Sequence, residues 1–185
     1  VEQPKADAEI LIAEIMEKPK EAIANHHKKP ISERKIDRFK DCVERRASRE
    51  PIHYILGRKE FWSMEFKVTS DVLIPRRETK VLIEHFLNLS VNRSKSLRIM
   101  DLCTGSGIIA VVVAKEKTET KVVAVDISAK ALQEGRRNAE MHRVSQQIFF
   151  LKSNLFESVR LEKWGFFDFI LSNPPYICLL YTSPS

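Results

Sequence analysis

The sequence predicts an α/β protein, a parallel sheet with helices on both faces, preceded by a small helical domain. Three observations carry this expectation. Residues 97–172 hold four short apolar runs separated by glycine turns and stretches of helical spacing, the pattern of right-handed βαβ units. Residues 6–47 show apolar positions at helical spacing instead. A glycine turn after the first apolar run and a proline pair after the fourth stand at strand ends, where open α/β sheets place ligands.

Taken in order, Ala8, Leu11, Ile12 and Ile15 share one face of a helix over residues 6–17. Ser32 is a candidate N-cap for a second helix, with Glu33 in its first turn and Ile36, Phe39, Val43 and Ala47 on the expected buried side. The pattern changes at Glu50-Pro51, because proline disfavours helix in the residue before it. Residues 60–68 read as a hairpin or an extended linker. Residues 81–89 return to helical spacing through Leu82, His85, Phe86 and Leu89. Strands are predicted over 97–102, 121–126, 148–152 and 167–172, with helices over 108–115 and 128–142. The expected domains are thus 1–50, a helical domain for substrate recognition, 51–77, a hairpin linker, and 78–177, an incomplete catalytic domain, followed by a tail over 178–185.

Bulk properties narrow the function classes. The 185 residues, 43% hydrophobic and 30% charged, fit a globular domain with a small attachment. No apolar run is long enough to span a bilayer and no secretory signal is visible. Cys42, Cys103 and Cys178 show no CxxC spacing, which argues against a disulfide framework or a zinc site and for a reducing cytoplasm. A net charge of +6 favours acidic partners such as nucleic acid or ribonucleoprotein; a scattered solvated surface is the alternative.

Two motifs carry chemistry. In Asp101-Leu102-Cys103-Thr104-Gly105-Ser106-Gly107 the glycines let the backbone turn sharply and approach a ligand, and the next helix offers free N–H groups. Gly105, Gly107 and Ala110 also fit the dinucleotide pattern, and a plain tight turn would look the same. Asp126 ends the second strand 19 residues after Gly107, where a carboxylate can accept both hydroxyls of a ribose. Together they point to an adenosine-containing cofactor. The corner Asn173-Pro174-Pro175-Tyr176 then chooses the chemistry. Two prolines fix φ and remove two backbone donors, so this segment is neither helix interior nor central strand. Asn173 Oδ1 and the Pro174 carbonyl can accept both hydrogens of an NH2 group, localising its lone pair, while Tyr176 covers the planar group. Such a site methylates nitrogen by positioning and electrostatics, without a protein nucleophile.

The order Glu50-Pro51-Ile52-His53-Tyr54-Ile55-Leu56-Gly57, Glu60-Phe61, Val72-Leu73-Ile74-Pro75-Arg76, the glycine turn, Ala124-Val125-Asp126 and residues 172–177 resembles the release-factor glutamine N5-methyltransferases, the HemK/PrmC family. The resemblance runs from about residue 6 to residue 177. The Asn-Pro-Pro-Tyr corner is shared with adenine-N6 DNA methyltransferases, while the first and third segments are specific to the protein-modifying branch. The resemblance implies a class I S-adenosylmethionine-dependent methyltransferase, Rossmann-like, whose target is the glutamine of the Gly-Gly-Gln loop in peptide-chain release factors. The expected protein is a monomer that requires no direct nucleic acid, metal or membrane, located in the cytoplasm, or in mitochondria if the source is eukaryotic. The same resemblance assigns Asp101, Cys103, Thr104, Gly105, Ser106 and Gly107 to the cofactor, Asp126 to its ribose, and Asn154 and Leu155 to its adenine. Asn173 meets cofactor and substrate together, and Asn173, Pro174, Pro175 and Tyr176 hold the substrate glutamine.

Four departures stand out. Cys103 replaces a glycine, tolerable if its φ is negative, and Asn154 replaces an aspartate. Arg77 and Lys80 replace proline and glutamate, adding positive charge beside the linker. After Ile177 the family continues through a helix and three strands, whereas residues 178–185 do not resemble it. The chain therefore reads as a C-terminally truncated fragment whose first or fourth strand is left as an apolar edge. Readings from other classes are a nicotinamide oxidoreductase resting on the glycine pattern, an adenine-N6 nucleic-acid methyltransferase, and a fragment that only binds its partner.

Overall fold

The computed structural model describes residues 3–23, 30–91 and 96–175, which fall into two compact units that divide between Arg58 and Lys59. The smaller unit is helical. Helix α1 (Pro4–Met16) begins at a proline, whose missing N–H is one the first turn leaves unpaired anyway. It is followed by α2 (Lys20–Ile23), α3 (Glu33–Ala47) and α4 (Ile52–Leu56). Leu11, Ile15 and Cys42 form the core, with Phe39, Ile52, Ile55 and Leu56 against it. The first helix thus buries the face its spacing predicts. The second does not: Ile36, Val43 and Ala47 are exposed. Its inward line runs Phe39, Cys42, Arg46, because Arg46 Nε donates to Asp7 Oδ2 at 2.7 Å and so draws that face onto α1.

The larger unit opens on a hairpin of β1 (Arg58–Phe61), whose first residue still belongs to the smaller unit, and β2 (Met64–Lys67). Its two turn residues, Trp62 and Ser63, have φ of 55° and 54°, matching the turn sense that two-residue hairpins prefer. Then come α5 (Arg77–Leu89), β3 (Arg98–Leu102), α6 (Ile108–Glu116), β4 (Lys121–Asp126), α7 (Ala129–Met141), β5 (Ile148–Lys152), α8 (Leu161–Trp164) and β6 (Phe169–Ser172). The sheet is parallel throughout, in the order β5-β4-β3-β6. From β3 the chain moves outward to β4 and β5, then returns to β6 on the other side of β3. That reversal sets the tip of β3 beside the tip of β6, with Leu102 paired to Ser172, and opens a crevice there.

The helices are not shared evenly between the faces. One face, with Ile99, Val122, Ala124 and Leu171, packs under α5, α6 and α7 and the hairpin residues Phe61 and Phe66. The other, with Met100, Leu102, Val123 and Val125, is met among the described residues by Val159, Trp164 and Phe167, so only the short α8 represents helix there. The expectation of helices on both faces holds strongly for one face alone. The described sheet edges are β5 and the fourth strand, β6, and both expose apolar side chains (Phe149, Ile170); the first strand, β3, is central. No described helix is long and apolar enough to cross a membrane.

The hairpin does not behave as a free linker. Phe66 and Val68 are fully buried, and Phe61 nearly so. The sequence reading divides the chain at 50 and 77, whereas the compact units divide once, at 58.

Candidate active site at the strand tips

The glycine turn is built on β3. The Thr104 N–H donates to the Val125 carbonyl at 2.9 Å, and that of Gly107 to the Thr104 carbonyl at 2.9 Å. Gly107 has φ +77°, and a Cβ there would lie 2.9 Å from Gly135 Cα on α7. Only glycine satisfies both the left-handed backbone and that close approach. Asn138, one turn further along α7 and fully buried, braces the turn from the side. Its Nδ2 donates to the carbonyls of Ser106 (2.9 Å) and Lys67 (3.0 Å), and its Oδ1 accepts the Lys67 N–H at 2.8 Å. Glycine turn, hairpin and α7 therefore meet at one amide.

Cys103 corrects an expectation. Its φ is +62°, not negative, so the thiol residue stands in a conformation that glycine would adopt without strain. Burial pushes its thiol above the ordinary value, and the Asp126 carboxylate adds to this, against a hydrogen bond with Ser172. Asp101 is enclosed beneath the turn. Its Oδ2 accepts from Thr104 Oγ1 and from the Ala110 N–H at 3.1 Å, while its Oδ1 has no partner. Burial drives its carboxyl up to about 7, the two hydrogen bonds pull the other way, and the Asp126 charge raises it slightly.

Asp126 stands across from the turn. Its Oδ2 accepts the Gly105 N–H and its Oδ1 the Ser128 N–H, both at 2.9 Å. A carboxylate has about four acceptor positions, so two remain for a ligand. A cavity of about 260 Å3 opens here, and Cys103, Gly105, Asp126, Asn154, Leu155, Asn173 and Pro175 of the predicted residues line it. Val72, Leu73, Ile127 and Ala131 give it apolar walls. Asn154 Nδ2 donates to Glu157 Oε1 at 2.7 Å, and Leu155, at φ +48°, presents its side chain to the opening. A smaller cavity of about 50 Å3 adjoins it, sharing Leu73, Cys103, Gly105 and Asn173 and adding Thr104, Ser106 and Thr79.

Asn173 lies between the two cavities, on the first residue after β6. Its Nδ2 donates to Thr79 Oγ1 at 2.8 Å. Asp101 and Gly107 line neither cavity and reach the site through their hydrogen bonds to Thr104; Pro174 is exposed and lines neither. Tyr176 lies outside the described residues.

Sequence reasoning missed Thr79, Asn138 and the walls from Val72 and Leu73. A signal for Thr79 exists: Thr79, Ile83 and Phe86 are the buried line of α5, continued by its C-cap Ser90, at helical period, whereas His85 and Leu89, named for the same spacing, are exposed. Chemically, the arrangement offers a slot with apolar walls that carries a carboxylate with acceptor positions left, Asp126, and an oriented amide, Asn173.

Residues 77–180 match the methyltransferase small domain family and residues 1–57 the PrmC N-terminal domain. The chain is 38% identical to a bifunctional methyltransferase of Rickettsia prowazekii, over 94% of this chain and 36% of that protein. It is 35% identical to a release factor glutamine methyltransferase of Aliivibrio fischeri, over 95% of this chain and 60% of that one. It thus spans between about a third and three-fifths of the length of these curated relatives. A solved SAM-dependent methyltransferase from Agrobacterium tumefaciens shares the fold, with a TM-score of 0.53 and 24% identity over 64% of this chain and 39% of that one. The chain belongs to the methyltransferase small domain family, in its HemK/PrmC branch.

Proposed function

We propose that this protein transfers a methyl group from S-adenosylmethionine to the side-chain amide nitrogen, N5, of the glutamine in the Gly-Gly-Gln motif of peptide-chain release factors. The observation that carries this reading is Asn173, whose amide is held by Thr79 at the junction of the two cavities. The relatives named release factor glutamine methyltransferase support the choice of substrate. The residues present fit the cofactor: Asp126 has acceptors left for the ribose hydroxyls, and Val72, Ile127 and Leu155 suit an adenine ring. Cys103 and Gly105, shared by both cavities, sit where the methionine end would pass. The cofactor would supply an electrophilic methyl group bonded to a sulfonium.

The chain's own residues do the rest. An amide nitrogen is a poor nucleophile because its lone pair is delocalised into the carbonyl. Asn173 Oδ1, turned away from Thr79, accepts one hydrogen of the substrate NH2, and the Pro174 carbonyl accepts the other. Both bonds strengthen as the nitrogen becomes positive, so they favour the transition state over the ground state. The nitrogen takes the methyl group from its sulfonium, which is left as a neutral thioether, and loses its surplus proton to solvent. Tyr176 covers the planar amide. In this reading the protein acts in the cytoplasm as a monomer and requires no nucleic acid.

Mass spectrometry of a release factor incubated with S-adenosylmethionine and the full-length protein tests the proposal. One added methyl on the Gly-Gly-Gln peptide is expected, and Asn173→Ala should lower the rate by about 10²–10³. Methyl incorporation into DNA or RNA with none into the release factor would select the adenine reading. Binding of NAD(H) without S-adenosylhomocysteine would overturn both.

A further inference from the structure

We propose that Thr79 is a positioning residue that fixes which end of the Asn173 amide faces the reaction. An asparagine presents an acceptor oxygen and a donor NH2 on nearly the same outline, and rotation of its terminal torsion by half a turn exchanges them. A site that must accept a hydrogen from a substrate NH2 works only with the oxygen turned toward it. With NH2 turned toward the substrate, two donors would oppose one another. Nothing in the proline pair restrains that torsion.

The structure supplies the restraint from a distant part of the chain. Thr79 Oγ1 accepts from Asn173 Nδ2 at 2.8 Å across 94 residues of sequence. Thr79 is 4% exposed, so water competes little for this contact. It lies in the first turns of α5, whose buried line Thr79, Ile83, Phe86 packs that helix onto the sheet. Phe86 meets Phe169 of β6 edge-on, with ring centroids 5.1 Å apart. The helix that carries the hydroxyl is thereby clamped to the strand that delivers Asn173. The threonine methyl adds stiffness, because a β-branched side chain has few rotamers in a helix. Thr79 also lines the small cavity together with Asn173, and it holds the Nδ2 end of the amide, which leaves Oδ1 as the free end.

The catalytic consequence rests on the methyl-transfer reading; the contact does not. The test therefore has two arms in the full chain. In the first, Thr79→Val keeps the shape and removes the acceptor. It should lower kcat about 10–100-fold and leave cofactor affinity and KM within about threefold, while Thr79→Ser should recover most of the rate. In the second arm, the side-chain NH2 signals of Asn173 are followed by NMR without substrate. They should be well separated in the wild type and in Thr79→Ser, and collapse toward those of an exposed asparagine in Thr79→Val. Wild-type kcat in Thr79→Val would overturn the positioning role, and unchanged NH2 signals would overturn the contact. Should Thr79→Val fail to fold, Thr79→Ala is read by the same two criteria. A wild type that binds cofactor but does not methylate release factor would refute the proposed function, and the NMR arm would still decide the contact.

Discussion

At Cys103 the backbone stands at φ +62°, which costs an L-residue with a Cβ roughly 1–2 kcal/mol. Glycine there would recover that strain but gain freedom in the unfolded chain, worth about 0.5–1 kcal/mol. Cys103→Gly is therefore expected to stabilise the protein by about 0.5–1 kcal/mol, read as a higher denaturant midpoint at unchanged slope; a lower midpoint would refute the strain. Asp101 makes a pH-dependent prediction. Its folded value of about 7 lies above the ordinary 3.8 because burial disfavours the charge. Such a carboxyl keeps its proton longer in the native state than in the unfolded one. Its contribution to stability is complete below about pH 4 and is lost as pH rises toward 7, by up to about 1.4 kcal/mol per unit. Between pH 5 and 8 the wild type should lose roughly 2–3 kcal/mol relative to Asp101→Asn. Parallel stability curves for the two proteins would exclude a raised value.

Elements meet at Asn138. Its amide satisfies the Lys67 N–H and the carbonyls of Lys67 and Ser106 from one fully buried position. Removing it leaves buried backbone groups without partners, at about 1–3 kcal/mol for each group that water cannot reach. Asn138→Ala should cost about 2–4 kcal/mol and weaken S-adenosylhomocysteine binding, because Ser106 belongs to the glycine turn. Urea unfolding and calorimetric titration on the same sample check both; unchanged affinity with reduced stability would detach Asn138 from the site. The packing of Gly107 on Gly135 fixes the same turn from the other side.

Across the molecule, the hairpin joins the larger unit, not a separate linker, since Phe61 and Phe66 belong to the main hydrophobic cluster with Ile83, Phe86 and α6. A chain begun at Lys59 is expected to unfold in one cooperative transition. One begun at Glu78 loses Phe61, Phe66, Val68 and Val72, a deficit of more than about 5 kcal/mol when each large core side chain is worth about 3. That approaches a domain's whole stability. Circular dichroism melts of the two chains separate the outcomes, and equal melting temperatures would return the hairpin to linker status.

The four strands, their parallel order of use and the glycine turn were readable from the sequence because each is a local pattern: apolar runs at strand length, glycines where the backbone must reverse, an acid at the next strand's end. Asn173 was readable for the same reason, as a rigid corner after a buried strand. The face of α5 and the face of α3 were not, since several apolar residues fit a helical stripe and only packing partners choose among them. The sign of φ at Cys103 was also hidden, because the side chain does not reveal what the surrounding turn imposes. Thr79 and Asn138 are decided by tertiary structure alone. Their partners lie 94 and up to 71 residues away, and a hydrogen bond across that distance exists only once the sheet has closed and brought both ends to one place.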